Sequence, residues 1–393
     1  MPAPMITNEE KARVWETYQA RRPIRVPVRY GVNPRLILLN PALNPKGYTY
    51  EDYFHNATVL IDVQLAFMEH QTQVLNRYCD NPLGRPKTLT FYVDTQNVYD
   101  SAYFGAPLSF RDGQVPDVEG HLRGRDKLRI FEVDIDHPMD NPFIRQCLKR
   151  HEDLVKAAAK VSCHGMTVNV APPLLGFDGP LTIATNLRGT ELFVDLYEDP
   201  AYVRRLLEFI QRGVILRQNA LYRHFGRKWA DGPGGSLADD SVQLISTDMY
   251  RDFVLPLHRA WYAQWSIEGP HMIHLCGNAT RHFPTIHEEL HVESFDTGFP
   301  VNFGWLREAL GDDIEISGGV EVALLLGGTP PQVYDRAREI LASGIMRGGR
   351  FVLQEANNLP PRCPETNLEA MYRACLDHGR YPTAQPPAQK TWT

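Results

Sequence analysis

The stretch that decides the fold class lies in the C-terminal third and contains DIEISGG (313–319), GGTPPQVYDRAREILASG (327–344) and FVLQEA (351–356). The first and last pieces are short strand candidates, and the first of them ends in glycine. The middle piece predicts a helix, because its apolar residues recur at the helical period, a threonine and two prolines open it, and a glycine closes it. A strand, a helix and a second strand in this order are typical of a parallel sheet.

The same alternation continues upstream of this stretch. Strands are predicted at PIRVPVRY (23–30), TLTFYVD (88–94) and MTVNVAPP (166–173), and a long helix is predicted from Asp199 to His224. No GxGxxG motif follows a strand, so nothing indicates a dinucleotide-binding sheet. We therefore expect an α/β fold, a (β/α)8 TIM barrel with an N-terminal extension and insertions.

Composition and charge argue against several classes of protein. The 393 residues carry 41 basic and 47 acidic side chains, and the resulting formal charge of −6 does not favour binding to nucleic acid. The six cysteines include no CxxC pair, and the chain has neither a signal-peptide core nor an apolar run of about 20 residues. We therefore expect a cytoplasmic protein without a membrane span. One domain is expected over residues 1–381, followed by a mobile proline-rich tail at 382–393, and a homo-oligomer stays open.

The sharpest chemical feature is His274-Leu275-Cys276-Gly277 at the end of an apolar strand. Because side chains alternate along a strand, His274 and Cys276 point to the same side, about 7 Å apart along the chain. An imidazole and a thiolate are ligands that suit Zn²⁺. Reactive groups collect at the carboxyl ends of barrel strands, so this pair predicts a zinc site. A hydrogen-bonded histidine beside a buried cysteine is the alternative.

The C-terminal sequence resembles a known family. The stretch GGTPPQVYDRAREILASGIMRGGRFVLQEANNLPPRCPETNLEAMYRACLDHGRY (327–381) is similar to the C-terminal signature of the uroporphyrinogen decarboxylase superfamily. Further similarity lies in GPLTIATNLRGTELFVDLYEDPAYVRRLLEF (179–209) and MYRDFVLPLHRAW (249–261). Members of this superfamily are (β/α)8 barrels, and the resemblance implies the same fold for this chain.

The superfamily includes zinc-dependent methyltransferases in which an HxC motif supplies two zinc ligands and a cysteine before a Pro-Pro turn supplies the third. His274 and Cys276 match the first two ligands, whereas Asn357 stands at the third position. The resemblance implies demethylation of a small methylated compound, with a corrinoid (cobalamin) on a partner protein as the methyl acceptor. The alternatives are a metal-free decarboxylase, whose N-terminal arginine signature is missing here, and a non-catalytic ligand-binding barrel.

Another residue must then complete the metal site. Glu355 is the first choice, because it shares a strand face with Asn357 and a carboxylate is an acceptable zinc ligand. Asp296, near the end of the strand that follows HLCG, is the second choice. Cys363 lies beyond the Pro-Pro turn and is the third.

Further polar residues are candidates for contact with the substrate. Asp239 and Asp240 resemble an acidic pair at a barrel strand end of the superfamily, where one acts as acid or base or orients the substrate. Loop capping is an equal alternative for these two residues. The predicted substrate-binding residues are Tyr30, His164 and Asn357, and a packed histidine is the alternative for His164.

If Glu355 supplies the third ligand, Glu355→Gln should weaken zinc binding at pH 7 at least ~10-fold, about 1.4 kcal/mol, because an amide replaces a charged ligand oxygen. Cys363→Ser is the comparison variant and should change the zinc affinity little, since two prolines separate it from the strand. Zinc titration against a competing chelator measures both affinities. If Cys363→Ser weakened zinc binding more than Glu355→Gln, a thiolate after the Pro-Pro turn would complete the site.

Overall fold

The computed structural model describes residues 6–163, 165–228, 235–265 and 271–382. His164 and the part of the predicted mobile tail from residue 383 onward therefore lie outside the described residues. The helices and strands are, in chain order, α1 (Asn8–Gln19), α2 (Arg35–Leu38), α3 (Tyr50–His55), α4 (Ala57–Gln73), β1 (Thr88–Phe91), α5 (Tyr99–Tyr103), β2 (Leu108–Ser109), β3 (Asp117–Val118), α6 (Pro142–Ala158), β4 (Thr167–Val170), α7 (Pro180–Arg188), α8 (Glu191–Glu198), α9 (Pro200–His224), β5 (Ser236–Ala238), α10 (Thr247–Met249), α11 (Leu255–Trp265), β6 (His271–Leu275), α12 (Phe283–Leu290), β7 (Val292–Thr297), α13 (Phe303–Leu310), β8 (Glu315–Val320), α14 (Val322–Gly327), α15 (Pro330–Ile340), β9 (Phe351–Glu355) and α16 (Glu365–His378).

The chain packs as two units, each built from separate segments of sequence. The first unit contains Met1–Gly31, Gln71–Gly84 and Asn302–Thr393, and the second contains Val32–His70 and Arg85–Val301. The expectation of one domain over residues 1–381 stays a prediction. Among the described helices, none combines the length and the hydropathy that a bilayer span requires.

In the first unit, β8 and β9 form a parallel pair with Gly318 opposite Leu353. The connection between them includes α15, whose first turn is closed by the Thr329 N–H donating to Gln332 Oε1 at 2.9 Å. The apolar stripe of α15 is buried. This is the strand, helix and strand that the sequence predicts, so the prediction is confirmed.

The predicted strand at 23–30 is wrong as a regular strand. The structure has isolated β-bridges at Arg25 and Val28 in its place. Pro23 and Pro27 lack the N–H group that a continuous ladder needs, and the Val28 N–H donates to the Asp80 side chain instead of to a strand.

The second unit contains the strands β5, β6 and β7, which pair in parallel in that order. Strand β1 pairs in parallel with β4, and the short strands β2 and β3 form an antiparallel pair. The long helix predicted from Asp199 is confirmed as α9, because Pro200 occupies its first turn and the Asp199 side chain accepts the N–H of Tyr202 at 3.2 Å.

A buried ion pair organises the first unit. Asp80 Oδ2 accepts hydrogen bonds from Arg25 Nη1 and from the Val28 N–H, both at 2.7 Å. The Tyr372 hydroxyl donates to Asp80 Oδ1 at 2.8 Å. The Arg25 and Asp80 side chains are 7% and 0% exposed, so loss of the carboxylate would leave a guanidinium charge buried without its counter-ion.

We predict that Asp80→Ala lowers the free energy of unfolding by about 3–5 kcal/mol, because it strands the buried charge of Arg25. Asp312→Ala is the matched control, since Asp312 pairs with Arg347 at the surface with both side chains about half exposed. Loss of this surface ion pair should lower the free energy of unfolding by at most about 1 kcal/mol. Urea unfolding followed by circular dichroism compares the two variants. Equal losses would contradict the role given to Asp80.

Candidate metal centre

The candidate site is built on the register of three parallel strands. The register places Ala238 of β5, His274 of β6 and Asp296 of β7 side by side. Because residues paired on neighbouring strands project to the same face, the side chains of His274 and Asp296 meet. Asp240 and Cys276 follow two residues after Ala238 and His274, and they continue along that face at the carboxyl ends of the strands.

His274 is held through both ring nitrogens. Its Nδ1 lies 2.9 Å from Asp296 Oδ2, and its Nε2 lies 3.0 Å from Cys276 Sγ. Burial by itself would lower the pKa of His274, but the hydrogen bonds and negative charges of Asp296 and Cys276 outweigh it and raise the pKa to about 11. Burial raises the pKa of the Cys276 thiol, and the hydrogen bond to His274 opposes that rise. A metal ion bound by this pair would displace protons from it.

Asp240 joins this pair in a group of three potential ligands. Its Oδ1 accepts the N–H of Cys276 at 2.6 Å. One ligand atom from each of Asp240, His274 and Cys276 lies within 4.8 Å of the other two, and in the part of the chain that the structure describes this is the one such group of His, Cys, Asp or Glu side chains. A nitrogen, a sulfur and an oxygen donor suit zinc, and three protein ligands leave a fourth position for a substrate.

Asp296 touches His274 on the ring nitrogen that faces away from Cys276. A carboxylate on the far nitrogen of a metal-binding histidine fixes the tautomer and the ring orientation. The geometry therefore favours Asp296 as the partner that orients His274, and Asp240 as the third ligand in place of Asp296.

Asp239 is fully buried and is engaged by the neighbouring helices. It accepts the N–H of Thr182 at 2.7 Å and the N–H of Leu181 at 3.3 Å, both in the first turn of α7. Its Oδ2 also lies 3.0 Å from Nε2 of the buried His258 on α11. These contacts favour the capping alternative for Asp239 over a catalytic role. The two neighbouring carboxylates therefore have different surroundings. Asp239 contacts α7 and α11, whereas Asp240 lies with His274 and Cys276.

Two close backbone approaches hold the loops around the site together. Gly179 has a φ of +78°, and a Cβ built there would lie 2.5 Å from the Ala238 carbonyl oxygen. A Cβ built at Gly298, after β7, would lie 2.2 Å from the Gly277 backbone nitrogen, after β6. Glycine is the residue that fits at both positions. The loops beside the metal-binding group therefore contact one another directly through their backbones.

Asp178 is a carboxyl that the sequence prediction missed. The Tyr99 hydroxyl donates to its Oδ1 at 2.8 Å, and its own N–H donates to Asp100 Oδ2 at 2.9 Å. Asp100 is paired in turn with the buried Arg217. Burial, followed by the charges of Asp100 and Asp240, raises the pKa of Asp178 to about 7, against the opposing hydrogen bond from Tyr99. The available signal was its position in the loop: Gly179 separates it from Pro180, the proline that opens α7.

Two of the predicted third ligands lie in the first unit. Glu355 is fully buried, and its Oε1 accepts the N–H of Gly31 at 2.6 Å. The Cys363 thiol donates to the Leu325 carbonyl oxygen at 3.3 Å. A role for either residue as a zinc ligand stays a prediction.

Two predicted substrate-binding residues, Tyr30 and Asn357, also lie in the first unit. Tyr30 is buried, and its hydroxyl donates to the Leu368 carbonyl oxygen at 3.4 Å. Asn357 follows β9 with a φ of +125°, a conformation that is strained for a residue with a Cβ. Their contact with a substrate stays a prediction.

The comparison with protein families identifies the class of this chain. The family model for uroporphyrinogen decarboxylase (URO-D) matches residues 98–378, more than two thirds of the sequence. The chain belongs to the uroporphyrinogen decarboxylase family. It has the (β/α)8 barrel fold of that family, so the fold class predicted from the sequence is confirmed.

Two individual proteins are similar to this one. The methylated-thiol–coenzyme M methyltransferase of Methanosarcina mazei is 36% identical over 145 residues, which cover 36% of this chain and 37% of that protein. A solved structure described as a methyltransferase from Methanosarcina mazei matches with a TM-score of 0.60 over 95% of this chain and 99% of the other, at 16% identity. The second likeness shows the fold alone.

We predict that Asp240→Asn lowers the zinc affinity at least ~10-fold, because it removes the charge of a ligand without changing its size. Asp239→Asn is the matched variant one residue earlier. It should leave the zinc affinity within about 2-fold and reduce the stability by about 1–3 kcal/mol, because it disturbs the buried contacts to α7 and His258. Zinc titration and urea unfolding measure the two effects. If only the Asp239 variant bound zinc more weakly, Asp239 would be the ligand and Asp240 the structural residue.

Proposed function

We propose that this protein is a zinc-dependent methyltransferase that removes the methyl group from a small methylated compound and passes it to a corrinoid carried by a partner protein. The observation that carries the proposal is the group of Asp240, His274 and Cys276 at the carboxyl ends of β5 and β6. All three side chains are partly exposed, so a small substrate could reach an ion that they hold.

The donor atoms of this group fit a catalytic zinc ion. Nε2 of His274 and Sγ of Cys276 face one another, and a carboxylate oxygen of Asp240 lies within 4.8 Å of a ligand atom of each. Asp296 keeps the imidazole turned so that Nε2 faces the group. When bound, zinc would supply a Lewis acid for the heteroatom that bears the methyl group, which makes that heteroatom a better leaving group.

Asp178 would handle the proton of the departing heteroatom. Its pKa of about 7 lets it hold or release a proton near neutral pH, and the Tyr99 hydroxyl fixes the position of its Oδ1. Gly179, the residue after Asp178, packs against Asp239, the residue before Asp240, so the two loops lie side by side in the second unit. Asp178 is therefore the candidate proton donor of the site.

The methyl acceptor would come from outside the chain. The sequence carries no DxHxxG motif of the kind that binds a corrinoid. We infer that the cobalt that accepts the methyl group arrives on a second protein, and that the partly exposed zinc group faces this protein during transfer.

Similarity to a methyltransferase over 145 residues supports methyl transfer. That relative is named for methylated thiols, so methyl thioethers are the first substrate class to examine. The metal-free decarboxylase is the second candidate. It is disfavoured because PIRVPVRY, although it contains arginines, does not match the signature that holds substrate carboxylates in decarboxylases. A metal-free binding protein would have no need for an imidazole, a thiol and a carboxylate held within 4.8 Å of one another.

We predict that the purified protein holds about one zinc ion per chain after reconstitution, and that Cys276→Ala lowers this content several-fold while the fold is kept. Cys163→Ala, which removes a partly exposed thiol that is not in the metal-binding group, is the control and should retain its zinc. Elemental analysis and circular dichroism measure the two properties. Less than about a tenth of an equivalent of zinc in the parent protein would reject the metal hypothesis.

The methyl transfer itself is tested with reduced cobalamin in place of the protein-bound corrinoid. Dimethyl sulfide, trimethylamine and methoxybenzene represent a thioether, an amine and an ether, and methylcobalamin formation is followed by its absorbance. The zinc-loaded parent and the Cys163 variant should methylate the corrinoid from one of these donors, and the Cys276 variant should not. Transfer at an equal rate in the Cys276 variant would contradict the role of the metal group.

A further inference from the structure

The first unit contains a cavity of about 840 Å³ that the proposed methyl transfer does not use. Four arginines line it: Arg13, Arg21, Arg22 and Arg380. Its described lining residues include no carboxylate. The sequence places two of these arginines next to each other at the end of α1, where a basic cluster by itself indicates no function.

A helix cap fixes the backbone of two of these arginines, whose side chains are exposed. At the end of α1 the Arg21 N–H donates to the Tyr18 carbonyl and the Arg22 N–H donates to the Thr17 carbonyl, the pattern of a Schellman cap. Arg21 occupies the left-handed position of this cap, with a φ of +55°, where glycine is usual. The chain therefore accepts a strained backbone at a residue that brings a guanidinium to the cavity.

The chain after this cap runs beside the C-terminal segment that carries Arg380. The Tyr381 N–H donates to the Ile24 carbonyl at 3.1 Å, and Arg380 forms a β-bridge with Arg25. Pro23 packs directly on the backbone of Gly349, because a Cβ built at Gly349 would lie 2.8 Å from Pro23 Cγ. The cavity wall thus consists of paired and packed backbone.

The positive charge of this wall is not neutralised by the protein. Within the described residues, the guanidinium groups of Arg13, Arg22 and Arg380 have neither a hydrogen-bond partner nor an ion-pair partner. Arg21 pairs with Asp313, but the two side chains are 59% and 93% exposed, so this pair contributes little. Like charges gathered around one cavity repel, and an anion from solution would relieve that repulsion.

We propose that this cavity binds a phosphate-bearing small molecule. The planar guanidinium fork matches two phosphate oxygens, which a carboxylate-free cavity with three unpaired arginines is suited to hold. A volume of about 840 Å³ is that of a small-molecule site. Ile24, Pro23 and Tyr381 add apolar surface for the organic part of such a ligand.

The cavity lies at the amino end of β9, since Gly349 comes two residues before the strand begins. Barrel enzymes collect their catalytic groups at the carboxyl ends of the strands. The ligand of this cavity would therefore not be the methyl donor, and the proposal stands or falls independently of the proposed methyl transfer.

The test is isothermal titration of the full chain with inorganic pyrophosphate at low ionic strength. We expect saturable binding of one pyrophosphate, weakened at least ~10-fold, about 1.4 kcal/mol, by Arg22→Gln and by Arg380→Gln. Arg22→Lys should recover part of the affinity, because it restores the charge but not the fork. Arg77→Gln removes an exposed arginine of the same unit outside the cavity and should bind like the parent.

Two results would overturn the proposal. One is no saturable heat up to 10 mM pyrophosphate with protein whose circular dichroism is native. The other is an equal loss of affinity in the Arg77 and Arg22 variants, which would show diffuse attraction to surface charge. Titration with adenosine diphosphate in parallel tests the apolar wall, and weaker binding of the nucleotide than of pyrophosphate would contradict the role given to that wall.

Discussion

The register between β6 and β7 is the constraint on which the metal-binding group depends. His271 lies opposite Val292, but the pairing then shifts by one residue, so that Met272 lies opposite Ser294. This irregularity brings Asp296, instead of its apolar neighbour, beside His274. Because a slip of one residue turns every side chain to the other face, a regular ladder would leave the imidazole without its carboxylate.

The parts of this architecture that are local in sequence could be predicted from the residues. The helices α9 and α15 follow from their caps and their period, and the shared side of His274 and Cys276 follows from alternation along one strand. The choice between Asp240 and Asp296 as ligand could not be predicted, because it depends on pairing between strands and on which ring nitrogen each carboxylate meets. Asp178 was missed because a partner distant in sequence, Tyr99, positions it.

Two buried side-chain networks hold loops of the second unit in place. Arg217 and Asp100 are both buried, and Asp100 accepts the backbone N–H of Asp178. Asp239 and His258 are likewise buried, and Asp239 accepts the first N–H groups of α7. Such pairs contribute little net stability compared with apolar packing, but they fix the positions of the backbone groups that they bind. The two networks thereby place the loop before α7 beside the end of β5.

The adjacency of Asp239 and Asp240 has a consequence for how relatives of this chain are compared. The two carboxylates are identical in chemistry and opposite in direction, one bound to helix amides and the other facing the imidazole and thiol. If a gap in a sequence alignment is misplaced by one position, the residue that caps α7 in one sequence is aligned with the potential metal ligand of another. Where a relative has only one acidic residue here, the strand register identifies it. The ligand position lies two residues after the residue of β5 that pairs with the histidine of β6.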